Sequence, residues 1–451
     1  MENRLDRRTF VQKSAALTGL AAVGGRVSGA VLGANDRVRL GVIGVGNRGD
    51  QLLDAFLPQK DVEIVALCDV YEPYLSAARE KVGGSARTYS DYRELLDQKD
   101  IDAVVIATPD HWHALQSIEA CRAGKDVYVE KPLGLTIHEG RQMVNVAKET
   151  DRVTQVGLHR RSSKAYQEAV ERIRNGEIGQ VTSAHCFHLT NESPMGIGSP
   201  ADSDPPEGLD WDAWLGPAPK VAYNPNRCLY KFRWFWDYSG GQLTNMGTHY
   251  LDVIQWALGQ NAPQSVVAIG GKYGVEDNRE IPDTMEAIWQ YDGPTLVTFS
   301  QRNSNGSDGN SRGWDIEFRG TKGTLGFSGN GYEIVPEHSR TRPLPASSPI
   351  DREKNREDAR AVQVAGKRIE VPGKNTTAEH AQNFIECVKS RGETNCPIEV
   401  GHQSSTATLL GNIALHVGRP IRWDADHERV VNDDEANARL VREYRAPWKQ
   451  V

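Results

Sequence analysis

The chain has 451 residues, with 53 Lys and Arg against 60 Asp and Glu, for a formal net charge of −7. That length allows two or three domains at about 150 residues each, and a 38% hydrophobic content can still build their cores. An acidic balance with no Lys/Arg-rich tract argues against a protein that binds nucleic acid by neutralising phosphates.

Residues 1–33 read as an address rather than as part of a fold. Asp6-Arg7-Arg8-Thr9-Phe10-Val11-Gln12-Lys13 is a twin-arginine pattern. A weakly apolar run rich in Ala and Gly follows from Ser14 to Val31, interrupted by Arg26 and closing on the small residues Ser28-Gly29-Ala30. A spanning helix needs about 20 strongly apolar residues, so no stable membrane anchor is expected. The segment resembles a twin-arginine (Tat) export signal, which implies the Tat machinery as a partner and a periplasmic location. Cys68, Cys121, Cys186, Cys228, Cys387 and Cys396 show no CxxC or Cys/His metal spacing. Neither a disulfide framework nor a metal site is expected from them.

From residue 36 to 158 short apolar runs alternate with amphipathic segments. Val38–Ile43, Val62–Leu67, Ala103–Ala107, Val127–Val129 and Val153–Val156 read as buried strands. Asp50–Leu57, Pro73–Lys81, Tyr92–Asp97, Ala114–Ala123 and Ile137–Glu149 read as the helices between them. Such alternation predicts right-handed crossovers and a parallel, doubly wound α/β sheet, a Rossmann domain. A second domain is expected over 159–425. Lys164–Arg174 reads as a helix, Val181–Leu189 as a strand, and Thr190–Arg227 as a long Pro/Gly/Asp-rich stretch of the kind used for lids or surface excursions. The helix Gln242–Leu258 precedes strands at Val266–Gly271, Met285–Tyr291, Leu296–Gln301, Trp314–Arg319 and Thr324–Phe327. Hairpin turns at Asp292-Gly293 and Thr321-Lys322-Gly323 point to an α+β domain with an open, largely antiparallel sheet. Residues 342–367 read as a charged surface insertion, Ala378–Ser390 and Ser404–Val417 as closing helices, and 426–451 as an extended tail. An open sheet leaves a face that is rarely bare, so a homo-oligomer is expected.

Within the first domain Gly44, Gly46 and Gly49 form a G-x-G-x-x-G that follows a strand, opens a helix and precedes Asp69 by about 20 residues. Gly44 allows the tight turn, Gly46 lets a pyrophosphate approach the backbone, and Gly49 lets helix and strand pack closely. The free N–H groups of the helix start suit phosphates, and Asn47 and Arg48 flank them. Asp69 would accept hydrogen bonds from the adenosine ribose and repel a 2′-phosphate, so NAD(H) is favoured over NADP(H).

The strand ending at Val129 runs into Glu130-Lys131-Pro132, at the carboxyl edge of the sheet where ligands bind. Together with Gly44–Gly49 and the turn Thr108-Pro109-Asp110-His111-Trp112-His113, these residues resemble the Gfo/Idh/MocA family of oxidoreductases. The resemblance runs from about Arg37 to the C-terminal tail. It implies hydride exchange between NAD(H) and a secondary hydroxyl or ketone of a sugar or polyol. It also implies that the turn bearing Thr108, Pro109, His111 and His113 contacts cofactor and substrate and that Lys131 lies at the nicotinamide; Glu130 would hydrogen-bond the nicotinamide ribose or simply pair with Lys131. The family's helical Asp and His, four residues apart, fall on Asn245 and His249; the Asp position therefore holds an amide here.

An imidazole titrating near 6.5 suits proton exchange, so His249 is expected to be the general acid/base. Lys131 would stabilise charge on the reacting oxygen, or relay the proton itself if burial and NAD⁺ lower its pKa, so the two share the role; Asn245 would bind a hydroxyl or orient the imidazole. Asp252, three residues on from His249, is a substitute orienting acid. Trp236 and Asp237, in an aromatic segment before Gly240-Gly241, are candidates for stacking on sugar C–H faces and accepting hydroxyls. His185 and His188 lie three apart in a strand and so point to opposite faces, a poor metal pair. Two other functions fit the same residues. One is a redox-neutral, NAD-dependent glycoside-cleaving enzyme that holds its cofactor tightly and passes through a transient keto-sugar. The other is a non-catalytic sugar- or nucleotide-binding protein.

Overall fold

The computed structural model describes residues 37–310, 312–340, 362–364 and 366–451. The twin-arginine segment and most of the expected insertion at 342–367 lie outside them. The first sheet holds β1 (Val38–Ile43), β2 (Val62–Cys68), β3 (Arg87–Tyr89), β4 (Ala103–Ile106), β5 (Asp126–Val129) and β6 (Thr154–Val156). All six are parallel, in the order β3-β2-β1-β4-β5-β6. Helices α1 (Asn47–Phe56), α2 (Glu72–Lys81), α3 (Tyr92–Leu96), α4 (Asp110–Arg122) and α5 (Ile137–Glu149) make the crossovers. Strands such as β4 are buried throughout, as a sheet covered on both faces requires. The strand order reverses between β1 and β4, which opens a crevice at their carboxyl ends.

Two details differ from expectation. β3 carries no apolar run because it is a three-residue edge strand whose central Thr88 is exposed. Helix α4 begins at Asp110 rather than Ala114, because Pro109 takes the extended cap position. The Asp110-His111-Trp112-His113 sequence is therefore the first helical turn. Its side chains fan around an axis instead of lining one loop.

The second lobe begins with α6 (Lys164–Arg174) and β7 (Val181–Leu189), followed by the short α7 (Trp211–Leu215) and the long α8 (Gly241–Leu258). Its strands are β8 (Ser265–Gly271), β9 (Thr284–Gln290), β10 (Leu296–Arg302), β11 (Ile316–Gly320), β12 (Gly323–Ser328) and β13 (Gly331–Pro336). A separate pair, β14 (His338–Arg340) and β15 (Val362–Val364), precedes β16 (Ile369–Val371). Helices α9 (Thr377–Ser390) and α10 (Ile398–Val417), strands β17 (Ile421–Asp424) and β18 (Arg429–Val430), and helix α11 (Asp434–Asn437) complete the chain.

The large sheet runs β16-β13-β12-β11-β7-β10-β9-β8-β17-β18. Its neighbours are antiparallel except β7 and β10, which pair in parallel. Burial alternates along β9, sending Met285, Ala287 and Trp289 into the core under α8 and α10. The other face leaves Ile269 71% and Leu296 47% exposed.

Two segments leave this lobe and return to the first. The stretch after β7 has an apolar core of its own, where Trp214, Leu215, Tyr223, Trp234, Phe235 and Tyr238 pack together. It docks beside the end of β2: Leu209 bridges Tyr71, and the Asp210 N–H donates to the Val70 carbonyl at 3.0 Å. The C-terminal tail crosses to α5, where Arg442 Nε and the Tyr444 hydroxyl each donate to Glu139 Oε1 at 2.7 Å. Arg445 ties the tail to the first segment through Asp212 at 2.9 Å. All six cysteines are buried and free. Among the described residues no helix is long and apolar enough to cross a membrane.

Candidate active site

The crevice between the lobes is a cleft of about 770 Å³. Its first-lobe floor is the turn between β1 and α1. Gly44 sits at φ +81°, a conformation that L side chains rarely adopt, and a Cβ there would meet the backbone of Ala107 and Thr108. A Cβ on Gly49 would collide with the Gly44 carbonyl, so the third glycine serves packing and does not line the cleft. No side chain caps α1, which leaves its first N–H groups facing the cleft. Asp69 lines the same space, its two oxygens accepting from the Val45 N–H at 2.8 Å and the Tyr71 N–H at 3.0 Å. Burial raises its carboxyl, and those N–H groups pull the other way. A carboxylate has about four acceptor sites, so Asp69 keeps capacity for ribose hydroxyls. The bare helix start, the glycine cradle and this acceptor fit a dinucleotide.

At the junction of the lobes Arg48 Nε donates to Glu130 Oε1 at 2.8 Å. Burial alone would raise the Glu130 carboxyl, but the Arg48 and Lys131 charges outweigh it and hold it low. Lys131 reaches across to α8, where its Nζ donates to Asn245 Oδ1 at 2.8 Å and to the Asn245 carbonyl at 3.3 Å. Burial depresses its ammonium to about 8, against the pull of Glu130 and Asp110 and with help from the Arg233 and Arg48 charges. Asn245 Nδ2 donates to Gln242 Oε1 at 2.9 Å, which fixes the amide with its oxygen toward the lysine. Asp110, raised by burial, accepts from the Ser239 hydroxyl at 2.5 Å and so joins the start of α4 to the turn before α8.

The other expected site residues separate. Thr108, Pro109 and His113 line the cleft. The His113 ring bridges two turns, Nδ1 at 2.7 Å from the Pro132 carbonyl and Nε2 at 2.8 Å from the Thr108 carbonyl. His111 does not line the cleft. Two residues earlier on the same helical turn, it points into the aromatic cluster, with Nε2 3.1 Å from the Trp214 carbonyl and its ring 5.3 Å from those of Trp214 and Tyr238.

His249 is buried one turn beyond Asn245 and is not a lining residue. Its ring meets His159 edge to face at 5.1 Å, and Nδ1 has no partner. Burial, then the Lys131 charge, hold its imidazole well below the ordinary range, so it is neutral. Asp252 cannot orient it, because its carboxylate is taken by Arg161 at 2.9 Å and by the Ser404 hydroxyl at 2.8 Å.

Trp236 and Asp237 also fall outside the cleft. Trp236 packs on His416 at 4.3 Å, and Asp237 lies at the surface 4.0 Å from Arg227. A 3₁₀ turn over Lys231–Trp234 presents Tyr230, Phe232 and Arg233 to the cleft instead. Those three, with Trp214 and Trp448, were not singled out from the sequence, and His188, which also lines the cleft, was weighed only as half of a metal pair. The same density of aromatic and basic residues at 230–233 was the available signal. Among the described residues no group of three His, Cys, Asp or Glu side chains is placed to hold a metal.

A family model described as an oxidoreductase family with an NAD-binding Rossmann fold matches residues 38–158. A companion, described as the C-terminal alpha/beta domain of that oxidoreductase family, matches 195–302 and 365–450. Among curated proteins, an inositol 2-dehydrogenase of Salmonella typhimurium is 33% identical over 153 residues, 34% of this chain and 46% of the relative. A glycosyl hydrolase family 109 protein of Shewanella sp. (strain MR-4) is 34% identical over 175 residues, 37% of this chain and 38% of the relative. The match thus spans less than half of either relative's length.

Among solved structures, the WlbA dehydrogenase of Bordetella pertussis in complex with NADH and UDP-GlcNAcA superposes with a TM-score of 0.60 at 21% identity, covering 86% of this chain and 99% of that one. The scyllo-inositol dehydrogenase of Lactobacillus casei, with bound NAD(H) and scyllo-inositol, gives 0.59 at 21% identity with the same coverage, 86% and 99%. At such identities the likeness is one of fold.

Proposed function

This chain belongs to the Gfo/Idh/MocA oxidoreductase family, and from that premise we propose that it is an NAD(H)-dependent oxidoreductase acting on a secondary hydroxyl or ketone of a sugar or polyol. The observation that carries the reading is the Lys131 amine, half-buried where the dinucleotide cleft meets the second lobe and held by Asn245 at 2.8 Å. A bound nicotinamide supplies the hydride acceptor or donor. This chain supplies the proton chemistry and the positioning. With its pKa near 8, Lys131 is the group that takes the hydroxyl proton onto Nζ and returns it, the role first expected of His249 or shared between the two. Asn245 aims that amine without adding charge, and the Arg48–Glu130 pair fixes the strand end from which it projects. Absorbance of reduced nicotinamide after adding a panel of sugars and polyols to NAD-loaded protein tests the reading. No response with any of them would overturn it.

The cofactor is proposed to be held tightly. The tail and the α7 segment cross the nucleotide end of the cleft and are latched to each other by Arg445, while Trp448 closes on Trp112 at 4.9 Å. Retained nucleotide, together with the glycosyl hydrolase family 109 relatives, supports a second reading. In it a sugar hydroxyl is oxidised, the aglycone leaves as the acidified neighbouring C–H loses its proton, water adds to the resulting enone, and the same hydride is returned to the ketone. Release of an aryl alcohol from an aryl glycoside with no added NAD distinguishes this from net oxidation.

Two further features are proposed. The Arg7-Arg8 motif directs Tat export to the periplasm, which fractionation of cells expressing wild type and an R7K/R8K variant tests. The exposed face of the large sheet, bearing Ile269, Ile288 and Leu296, pairs with a second copy; light scattering of wild type and Ile269→Glu tests that.

A further inference from the structure

The arginines around the cleft are nearly all committed. Arg48 pairs with Glu130, Arg227 with Glu280, Arg279 with Asp277, Arg442 with Glu139 and Arg445 with Asp212. Arg233 differs. Its guanidinium lines the cleft and stacks over the Tyr230 ring, 4.4 Å from the centroid. Among the described residues it makes no ion pair or hydrogen bond to a carboxylate. Its charge is felt at Lys131, at Asp110 and at His188, which places it within Coulomb reach of the amine that handles the proton. Asp110, the nearby acid, is engaged by Ser239.

A guanidinium clamped on an aromatic face presents its donors in a fixed plane. Those donors are not buried; they open on the cleft, where the acceptors of an entering ligand can meet them. Neutral partners for hydroxyls lie beside it, since burial holds the His188 imidazole low and Gln242 is an amide.

We propose that Arg233 is the receptor for a carboxylate on the substrate, so that the sugar or polyol taken by this cleft is an acidic one, a uronate or an aldonate. The carboxylate accepts two parallel N–H bonds from the guanidinium while a secondary hydroxyl meets Lys131 Nζ. A planar monoanion suits the single fork of one guanidinium, whereas a phosphate dianion would bring a second negative charge toward Asp110. The inference rests on the oxidoreductase reading for its chemistry but not for its binding.

The test is calorimetry on NAD-loaded protein with D-glucuronate against D-glucose, D-galacturonate against D-galactose, and D-glucose 6-phosphate. At least one uronate is expected to bind tenfold or more tightly than its neutral counterpart. Arg233→Ala should cut that ratio by about 10–100-fold, the worth of a charge-assisted bidentate contact. Arg233→Lys should restore only part of it, because an ammonium supplies charge without the fork. Should the alanine variant fail to fold, the wild-type and lysine ratios decide. Equal ratios in wild type and variant, preference for the neutral sugars or for the phosphate ester, or no uronate binding at all would overturn the proposal. A uronate that binds through Arg233 yet gives no reduced-nicotinamide signal defeats the oxidoreductase reading and leaves this one standing.

Discussion

The floor and the far wall of the cleft are built in opposite ways. The floor comes from one continuous strand-turn-helix-strand unit, in which Gly44, Gly46, Gly49 and Asp69 are brought together by backbone geometry alone. The wall comes from scattered pieces: Asn245 on α8, Arg233 on a 3₁₀ turn, Trp214 on α7 and Trp448 in the tail. Their positions depend on an aromatic cluster, on the Asp110–Ser239 contact and on the Arg445 latch. A local unit tolerates change everywhere except at its few close contacts. A wall assembled at long range can be retuned piece by piece, so cofactor chemistry and substrate choice are separable in this molecule.

That contrast can be broken most severely where the two halves meet. Lys131→Met should lower kcat by about 10²–10⁴, the range for losing a general acid/base, while the purified variant still carries nucleotide. Loss of the nucleotide as well would place Lys131 in the floor rather than at the junction. On the floor itself, Gly49→Ala forces α1 off β1 against the Gly44 carbonyl. It should cost about 1–3 kcal/mol of stability, as overpacking does, read as a fall in Tm together with lost nucleotide.

The proton step gives a graded test. Only the neutral amine can accept a proton, so alcohol oxidation should rise with pH through a midpoint near 8, and ketone reduction should fall through the same midpoint. Asn245→Asp sets a carboxylate against Lys131 Nζ and favours the ammonium. Both midpoints should then move up by about one unit or more, and unmoved pH–rate profiles would remove Asn245 from the proton account. The smallest effect belongs to the latch. Asp212→Asn removes the charge from a partly exposed ion pair with Arg445 and should speed nucleotide release only a few-fold, since such pairs are worth about 0.2–1 kcal/mol. Stopped-flow displacement by excess nucleotide measures it.

Much of the scaffold was legible because period and punctuation agreed. The helix Lys164–Arg174 and the strands Val38–Ile43 and Val181–Leu189 lie where the patterns placed them. Helices α4 and α10 start earlier than expected because Pro109 and Pro397 act as caps in extended conformation and lie outside the helix rather than ending it. The strands β3, β16 and β18 are too short to show alternation and exist through their neighbours' hydrogen bonds.

In the site, Lys131 and His249 were expected to face one reacting oxygen; Lys131 and Asn245 line the cleft, while His249 lies buried behind them. Burial decides both titrations, and burial is not written in a motif. His111 and His113 looked equivalent until the helix start put them on different sides of one turn. Trp236 and Asp237 gave way to Tyr230, Phe232 and Arg233 because a 3₁₀ turn, invisible as periodicity, chose which aromatic stretch faces inward.

By itself the sequence determined the doubly wound first lobe, the glycine turn with Asp69 at the end of the next strand, and the lysine at the end of β5. Each follows from neighbours along the chain, where sterics and hydrogen bonding act over a few residues. The parallel β7–β10 pairing, the depressed lysine and the stacking of Arg233 on Tyr230 at the cleft were decided only by tertiary structure. So was the return of the tail across the nucleotide end. Each depends on what distant segments remove from water or bring within Coulomb range, and linear order does not record those distances.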